Sequence, residues 1–355
     1  MRRVPADFPR FSAWRSFPGL RHGLLFLVFF LVLLGATEVP ALAADEFRVY
    51  FIDVEGGQST LLVSPGGDSL LIDTGFAGYG GRDAMRIENA MHDGGVKELD
   101  YVLITHFHGD HFGGITNLLK EVKAKNFVDH GPSIDSGDYP DAWKTAFATG
   151  NHIVVKPGDK IPLKGMDVTV VGAAGENITQ EQAEAIGAGQ PNPYCEGLST
   201  GEAATGENPQ SVGIVARFGE FRFVDLGDFT WDREMSILCP NNKIGEVDLY
   251  LTTHHGANSP PAIYGMHPQV AVQNNGPRKG GDAQGWRTLS KSPDLQDIWQ
   301  LHFQMDNGDA NTSDALIANL DEVGKGNFIK VTALKDGSFT VENPRNEYEK
   351  KYAAR

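Results

Sequence analysis

Thr105-His106-Phe107-His108-Gly109-Asp110-His111 sets three imidazoles and a carboxylate within six residues, directly after the apolar run Tyr101-Val102-Leu103-Ile104. Imidazole nitrogens and carboxylate oxygens at this density suit zinc or a similar divalent ion. On an extended segment His106 and His108, two residues apart, project to the same side and can grip one ion. Gly109 permits a turn, after which Asp110 and His111, opening a helix, can address a second ion. The end of a buried strand is also where α/β proteins collect their sites.

Outward from this stretch, short apolar runs alternate with turn residues. Segments 47–54, 59–63 and 69–73 read as successive strands, separated by Gly56-Gly57 and by Pro65-Gly66-Gly67-Asp68. Apolar spacing predicts helices over 82–92 and 115–122. A second half repeats the grammar: strands at 153–155 and 168–171, a helix over 180–186, and a Gly/Pro/Asn-rich surface loop over 187–210. A hairpin follows over 212–218 and 221–226, then strands at 247–252, 270–272, 328–334 and 338–341. Strands followed by helices, twice over, imply sheet packed on sheet with helices outside, within a single domain over 44–355.

His106-Phe107-His108-Gly109-Asp110-His111 resembles the HxHxDH motif of the metallo-β-lactamase superfamily. That resemblance implies an α/β fold, an αββα sandwich of two mixed β-sheets flanked by helices, with metals at one edge. It extends over roughly 47–275. Leu71-Ile72-Asp73-Thr74-Gly75 is similar to the family's early strand-end Asp, and Leu226-Gly227-Asp228 to its later Gly-Asp, whose carboxylate bridges the ions. Thr253-His254-His255-Gly256 looks like the HHG of the ComEC-like branch, and Phe51-Ile52-Asp53-Val54-Glu55-Gly56-Gly57-Gln58 like its DVGQGD opening. Where the general family has another His, about twenty residues before the bridging Asp, this chain has Asn208-Pro209-Gln210-Ser211, close to the branch's Asn-x-x-Ser. One ion is then short of an imidazole, its shell completed by Asn208 or water.

The resemblance implies a metal set of His106, His108, Asp110, His111, Asp228 and His255, holding two Zn2+ per chain, with Mn or Fe as alternatives. Adjacent residues on a strand end face opposite ways, so one of His254 and His255 should bind metal. His255 is the favoured ligand and His254 the group nearer the substrate. Asp110 is expected to ligate and orient a metal-bridged hydroxide for hydrolysis. Asp73 is expected to support a ligand imidazole or a nearby backbone N–H. The turn Asn274-Asn275-Gly276-Pro277-Arg278-Lys279-Gly280-Gly281 offers Arg278 and Lys279 to a substrate phosphate or carboxylate, and His130 ends a strand where it could line the cleft. A phosphodiester is the leading substrate. A lactonase- or β-lactamase-type C–O or C–N hydrolase, and a non-catalytic metal-binding protein, are the alternatives.

The chain has 355 residues with 31 Lys+Arg against 46 Asp+Glu, a net charge of −15, and this acidity argues against a broad nucleic-acid surface. Arg2, Arg3, Arg10, Arg15 and Arg21 precede the apolar run 23–36 and Ala41-Leu42-Ala43. This reads as a signal peptide over 1–43 and an exported, periplasmic or secreted protein, with an uncleaved anchor as the alternative. The run is short of the roughly 20 residues a span requires, and no later run approaches that length. Cys195 and Cys239 could pair in an oxidising compartment or stay as separate thiols.

Overall fold

Alternate side chains of the first strand enter two different interiors, and this sets the layering. Phe47, Val49 and Phe51 belong to one apolar cluster, Tyr50 and Ile52 to another. The computed structural model describes residues 46–257 and 259–355. The leader reading and its cleavage site lie outside the described residues.

In chain order the strands are β1 (Glu46–Phe51), β2 (Thr60–Val63), β3 (Ser69–Ile72), β4 (Leu99–Leu103), β5 (Ala124–Asp129), β6 (Asn151–Val154), β7 (Asp167–Ala173), β8 (Glu176–Asn177), β9 (Gln190–Pro191), β10 (Gly213–Phe218), β11 (Phe221–Asp225), β12 (Asn241–Asn242), β13 (Leu249–Leu251), β14 (Val270–Gln273), β15 (Asp297–His302), β16 (Ile317–Asn319), β17 (Ile329–Leu334), β18 (Phe339–Asn343) and β19 (Tyr348–Tyr352). The helices are α1 (Arg82–Gly94), α2 (Ile115–Leu118), α3 (Asp141–Phe147), α4 (Gln180–Ala185), α5 (Trp231–Leu238) and α6 (Ala283–Leu289).

One sheet runs β19-β18-β17-β1-β2-β3-β4-β5-β6 and the other β16-β15-β14-β13-β11-β10-β7-β8. Both are mixed. In the first, β3 through β6 pair in parallel while β1 to β3 are antiparallel. In the second, β11, β13, β14, β15 and β16 are parallel, and β7, β10 and β11 antiparallel. The inner faces meet through Phe51, Leu62, Ile72 and Leu103 on one side and Val170, Ile214, Phe223, Leu251 and Trp299 on the other. Ile87, Met91, Leu118 and Trp143 cover the outer face of the first sheet. Met235, Leu238, Ile263 and Leu289 cover that of the second. The result is an αββα sandwich, the layer order that hides both faces of both sheets.

Several elements differ from the sequence expectations. The helix expected over 115–122 is four residues long, continued by looser turns through Val122. Asp110 and His111 lie in a turn before it, with the His111 N–H donated to the His108 carbonyl at 3.0 Å. β15 to β19 extend both sheets past residue 275, where the family resemblance ended. The 187–210 loop contains β9 and is tied by a Cys195–Cys239 disulfide to the end of α5. Among the described residues no helix is long and apolar enough to cross a membrane.

Candidate metal centre

The parallel strands of both sheets end at the same rim, and the chemistry collects there. From the first sheet, β3 delivers Asp73, and β4 the 105–111 turn. From the second, β11 leads to Asp228, β13 to His254 and His255, and β14 to Asn274. A Val212 N–H donated to the Thr105 carbonyl at 2.8 Å joins the sheets at this edge. Two glycines let the loops close around it: a Cβ on Gly57 would sit 2.4 Å from the Asp110 carbonyl oxygen, and one on Gly280 2.6 Å from the His255 Cβ.

Asp228 is buried at the centre. One of its oxygens lies 3.3 Å from His111 Nε2, 3.7 Å from His106 Nε2 and 3.6 Å from His254 Nε2; the other lies 3.5 Å from His255 Nε2. Asp110 is 3.2 Å from His255 Nε2 and 3.7 Å from His111 Nε2. His108 Nδ1 is 3.0 Å from His106 Nε2. The six residues named from the sequence as ligands are therefore gathered. Two overlapping groups, His106–His111–Asp228 and Asp110–His111–His255, have donor atoms close enough to share an ion.

The expectation that His254 and His255 face opposite ways is overturned. Both have left-handed backbone, φ 51° and 56°. This tight turn, unlike an extended strand end, curls both rings toward Asp228. His255 is buried and His254 half-exposed. Asn208 lies beside His254, its Nδ2 3.1 Å from the ring Nε2.

Asp73 accepts the Thr105 N–H at 2.8 Å and the Thr105 hydroxyl at 2.7 Å, and lies 2.7 Å from His111 Nδ1, so it orients this imidazole. His130 is withdrawn from the rim: it is buried against the Phe107 ring, 3.3 Å from Glu207. Lys279 reaches Asp110, whereas the exposed Arg278 turns away to Glu322 at 2.7 Å and Asp306 at 2.9 Å. The two cations adjacent in sequence thus have different surroundings, because consecutive side chains leave the turn in different directions.

Sequence reading missed several supporting groups. The Glu207 carboxylate accepts the Phe107 N–H at 3.2 Å and the Ile134 N–H at 2.7 Å. Burial opposes its ionisation, but the neighbouring His130 and Ser133 and the Phe107 N–H outweigh it and hold the acid down at about 2. Gln58 donates to Asp225 at 3.0 Å and accepts from Asn274 at 3.2 Å, linking the opening motif to two strand ends of the second sheet. Only the dense motif residues carried a signal in sequence; Glu207 sits in a polar loop without one.

The electrostatics suit a cation. Burial and the neighbouring His111 drive His106 well toward the neutral, ligand-competent form. Burial alone would raise the Asp228 and Asp110 carboxyls, but the surrounding imidazoles and, at Asp110, Lys279 hold both well below the usual range. One oxygen each of Asp228 and Asn208 is buried without a hydrogen-bond partner. Orphaned acceptors among close-set imidazoles are what a bound cation would satisfy, so this donor set fits a divalent metal.

Beneath the histidine turn, the buried Glu234 accepts the Ser259 hydroxyl at 3.0 Å, and Tyr250 and Thr253 share a hydroxyl contact at 2.8 Å. Burial pushes Glu234 up to about 8, only partly offset by Ser259 and Thr253. An acid that holds its proton more tightly when folded contributes stability that is complete below its unfolded pKa near 4.5. That stability falls as the pH rises and is gone above about 8. Glu234→Gln, which cannot ionise, should therefore flatten this loss. Urea unfolding of both proteins at pH 5, 7 and 9 checks it: their stability difference should move in favour of Gln with rising pH.

Residues 52–173 match the family model of the metallo-beta-lactamase superfamily. The fold is a metallo-beta-lactamase fold. Across 212 residues the chain is 26% identical to a metal-dependent hydrolase of Thermodesulfovibrio yellowstonii, covering 56% of this chain and 74% of that one. It is 41% identical over 64 residues to an atrochrysone carboxyl ACP thioesterase of Cryptosporiopsis sp., covering 18% of this chain and only 19% of that protein. Among solved structures, the metallo-beta-lactamase fold protein YhfI of Bacillus subtilis aligns over 72% of this chain and 96% of its own, with TM-score 0.44 and 13% identity. In this chain the metallo-beta-lactamase fold places its histidine turn and its acids on strand ends of both sheets.

Proposed function

We propose that this chain is a metal-dependent hydrolase of the metallo-beta-lactamase superfamily that cleaves a phosphodiester at a two-metal centre. The observation that carries the reading is the convergence on Asp228 of donors from both sheets, in two overlapping groups. His106, His108 and Asp228, with Asn208 alongside, would hold one ion; Asp110, His111 and His255, sharing Asp228, would hold the other. A divalent pair, zinc or in its place Mn or Fe, supplies Lewis acidity and lowers the pKa of water toward neutrality. The protein's own groups do the rest. Asp110 orients the nucleophile, Lys279 sits beside it where a phosphoryl oxygen would lie, and half-exposed His254 is placed to give a proton to the leaving oxygen.

A carbonyl ester is the second reading, favoured by the 64-residue match to thioesterases. Export is part of the proposal: the basic and apolar leader supports it, and the Cys195–Cys239 disulfide suits an oxidising compartment.

The test is metal analysis with turnover of bis(4-nitrophenyl) phosphate. The wild type should hold close to two equivalents. His255→Ala should lose one equivalent together with activity. His254→Ala should keep both and turn over roughly 10²- to 10⁴-fold more slowly, the scale of general-acid catalysis. Loss of metal in His254→Ala alone would reverse the two roles. A fully loaded protein inert toward the diester but active on thioesters would favour the second reading.

A further inference from the structure

Next to the metal centre, Phe76-Ala77-Gly78-Tyr79-Gly80-Gly81 follows Asp73-Thr74-Gly75 and carries an exposed aromatic that the proposed chemistry leaves unused. Tyr79 is 69% exposed. It is also held in place. Arg82 stacks on the Tyr79 ring at 4.4 Å while paired with Asp83 at 2.6 Å and with Glu55. The other Asp83 oxygen accepts the Phe76 N–H at 2.8 Å. Positive φ at four consecutive residues, 86°, 46°, 66° and 82° from Gly78 to Gly81, shapes the turn that carries Tyr79.

The shelf adjoins the reaction centre. Phe76 stands edge-on to Tyr79, with ring centroids 6.2 Å apart. The Lys279 ammonium lies 5.3 Å above the Phe76 ring and contacts Asp110. Phe76 packs against Gly57, where a Cβ would come within 3.1 Å of its ring and 2.4 Å of the Asp110 carbonyl. One cation therefore joins the aromatic pair to the candidate metal ligand.

We propose that Phe76 and Tyr79 form a recognition shelf for a planar aromatic group on the substrate, beside the anionic centre that Lys279 and the metal site bind. An aromatic group there would cover apolar surface and meet Tyr79 face-on or edge-on, while its charged end meets Lys279. The substrate class is then an aryl- or heteroaryl-bearing phosphoryl compound. This rests on the phosphoryl reading above.

The test is calorimetric binding of phenylphosphonate and methylphosphonate to the zinc-loaded protein, which needs no turnover. Wild type should bind phenylphosphonate about tenfold more tightly. Tyr79→Ala should lose that advantage while leaving methylphosphonate affinity and metal content unchanged, and Tyr79→Phe should keep it. Equal affinity for both ligands in the wild type, or an undiminished ring preference in Tyr79→Ala, overturns the shelf and leaves the phosphoryl reading standing. A loaded protein that binds neither phosphonate overturns both.

Discussion

Asp228→Ala should purify with less than one equivalent of metal per chain and with turnover reduced by roughly 10³-fold or more, the scale on which charge stabilisation at a reacting centre acts. The reason is geometric. Four imidazoles approach this one carboxylate within 3.7 Å, from both sheets, and one of its oxygens is buried without a hydrogen-bond partner. Metal analysis and steady-state kinetics, with a thermal melt to show that the fold persists, read the outcome. Two retained equivalents with turnover within tenfold of wild type would remove Asp228 from the centre.

A Cys195→Ser/Cys239→Ser double variant should lose about 4 kcal/mol of stability on the chain-entropy account of cross-links. The bridge closes a loop 44 residues apart in sequence and ties the segment before Asn208 to the end of α5. Urea unfolding under oxidising conditions measures the loss, and wild type in reductant should show the same deficit. A change below about 1 kcal/mol would mean that packing of this segment, through Ile178, Ala188 and Ile244, already does the tethering.

The centre was legible in sequence where its chemistry is contiguous. The 105–111 stretch, the strand-end Asp73, Gly227-Asp228 and the paired histidines each carry their donors in a few adjacent residues. Orientation was not legible. A strand-based rule put His254 and His255 on opposite sides, because left-handed backbone at two successive non-glycine residues is uncommon and has no compositional signature. Arg278 and Lys279 were inseparable until the turn that aims them was known.

Among the elements, the alternating runs of β10 and β11 declared themselves. β15 did not, because Ile298, Trp299, Gln300, Leu301 and His302 are all buried in a parallel strand covered on both faces, which erases the period-two pattern. The helix α5 was hidden differently. Its apolar residues Met235, Ile237 and Leu238 crowd the last turn instead of marking out a stripe.

The seam between the sheets at the rim gives the centre a mechanical role as well as a chemical one. The imidazoles of the 105–111 turn belong to one half of the sandwich, and Asp228 and His255 to the other. Whatever fastens these donors together also rivets the two half-shells along that side.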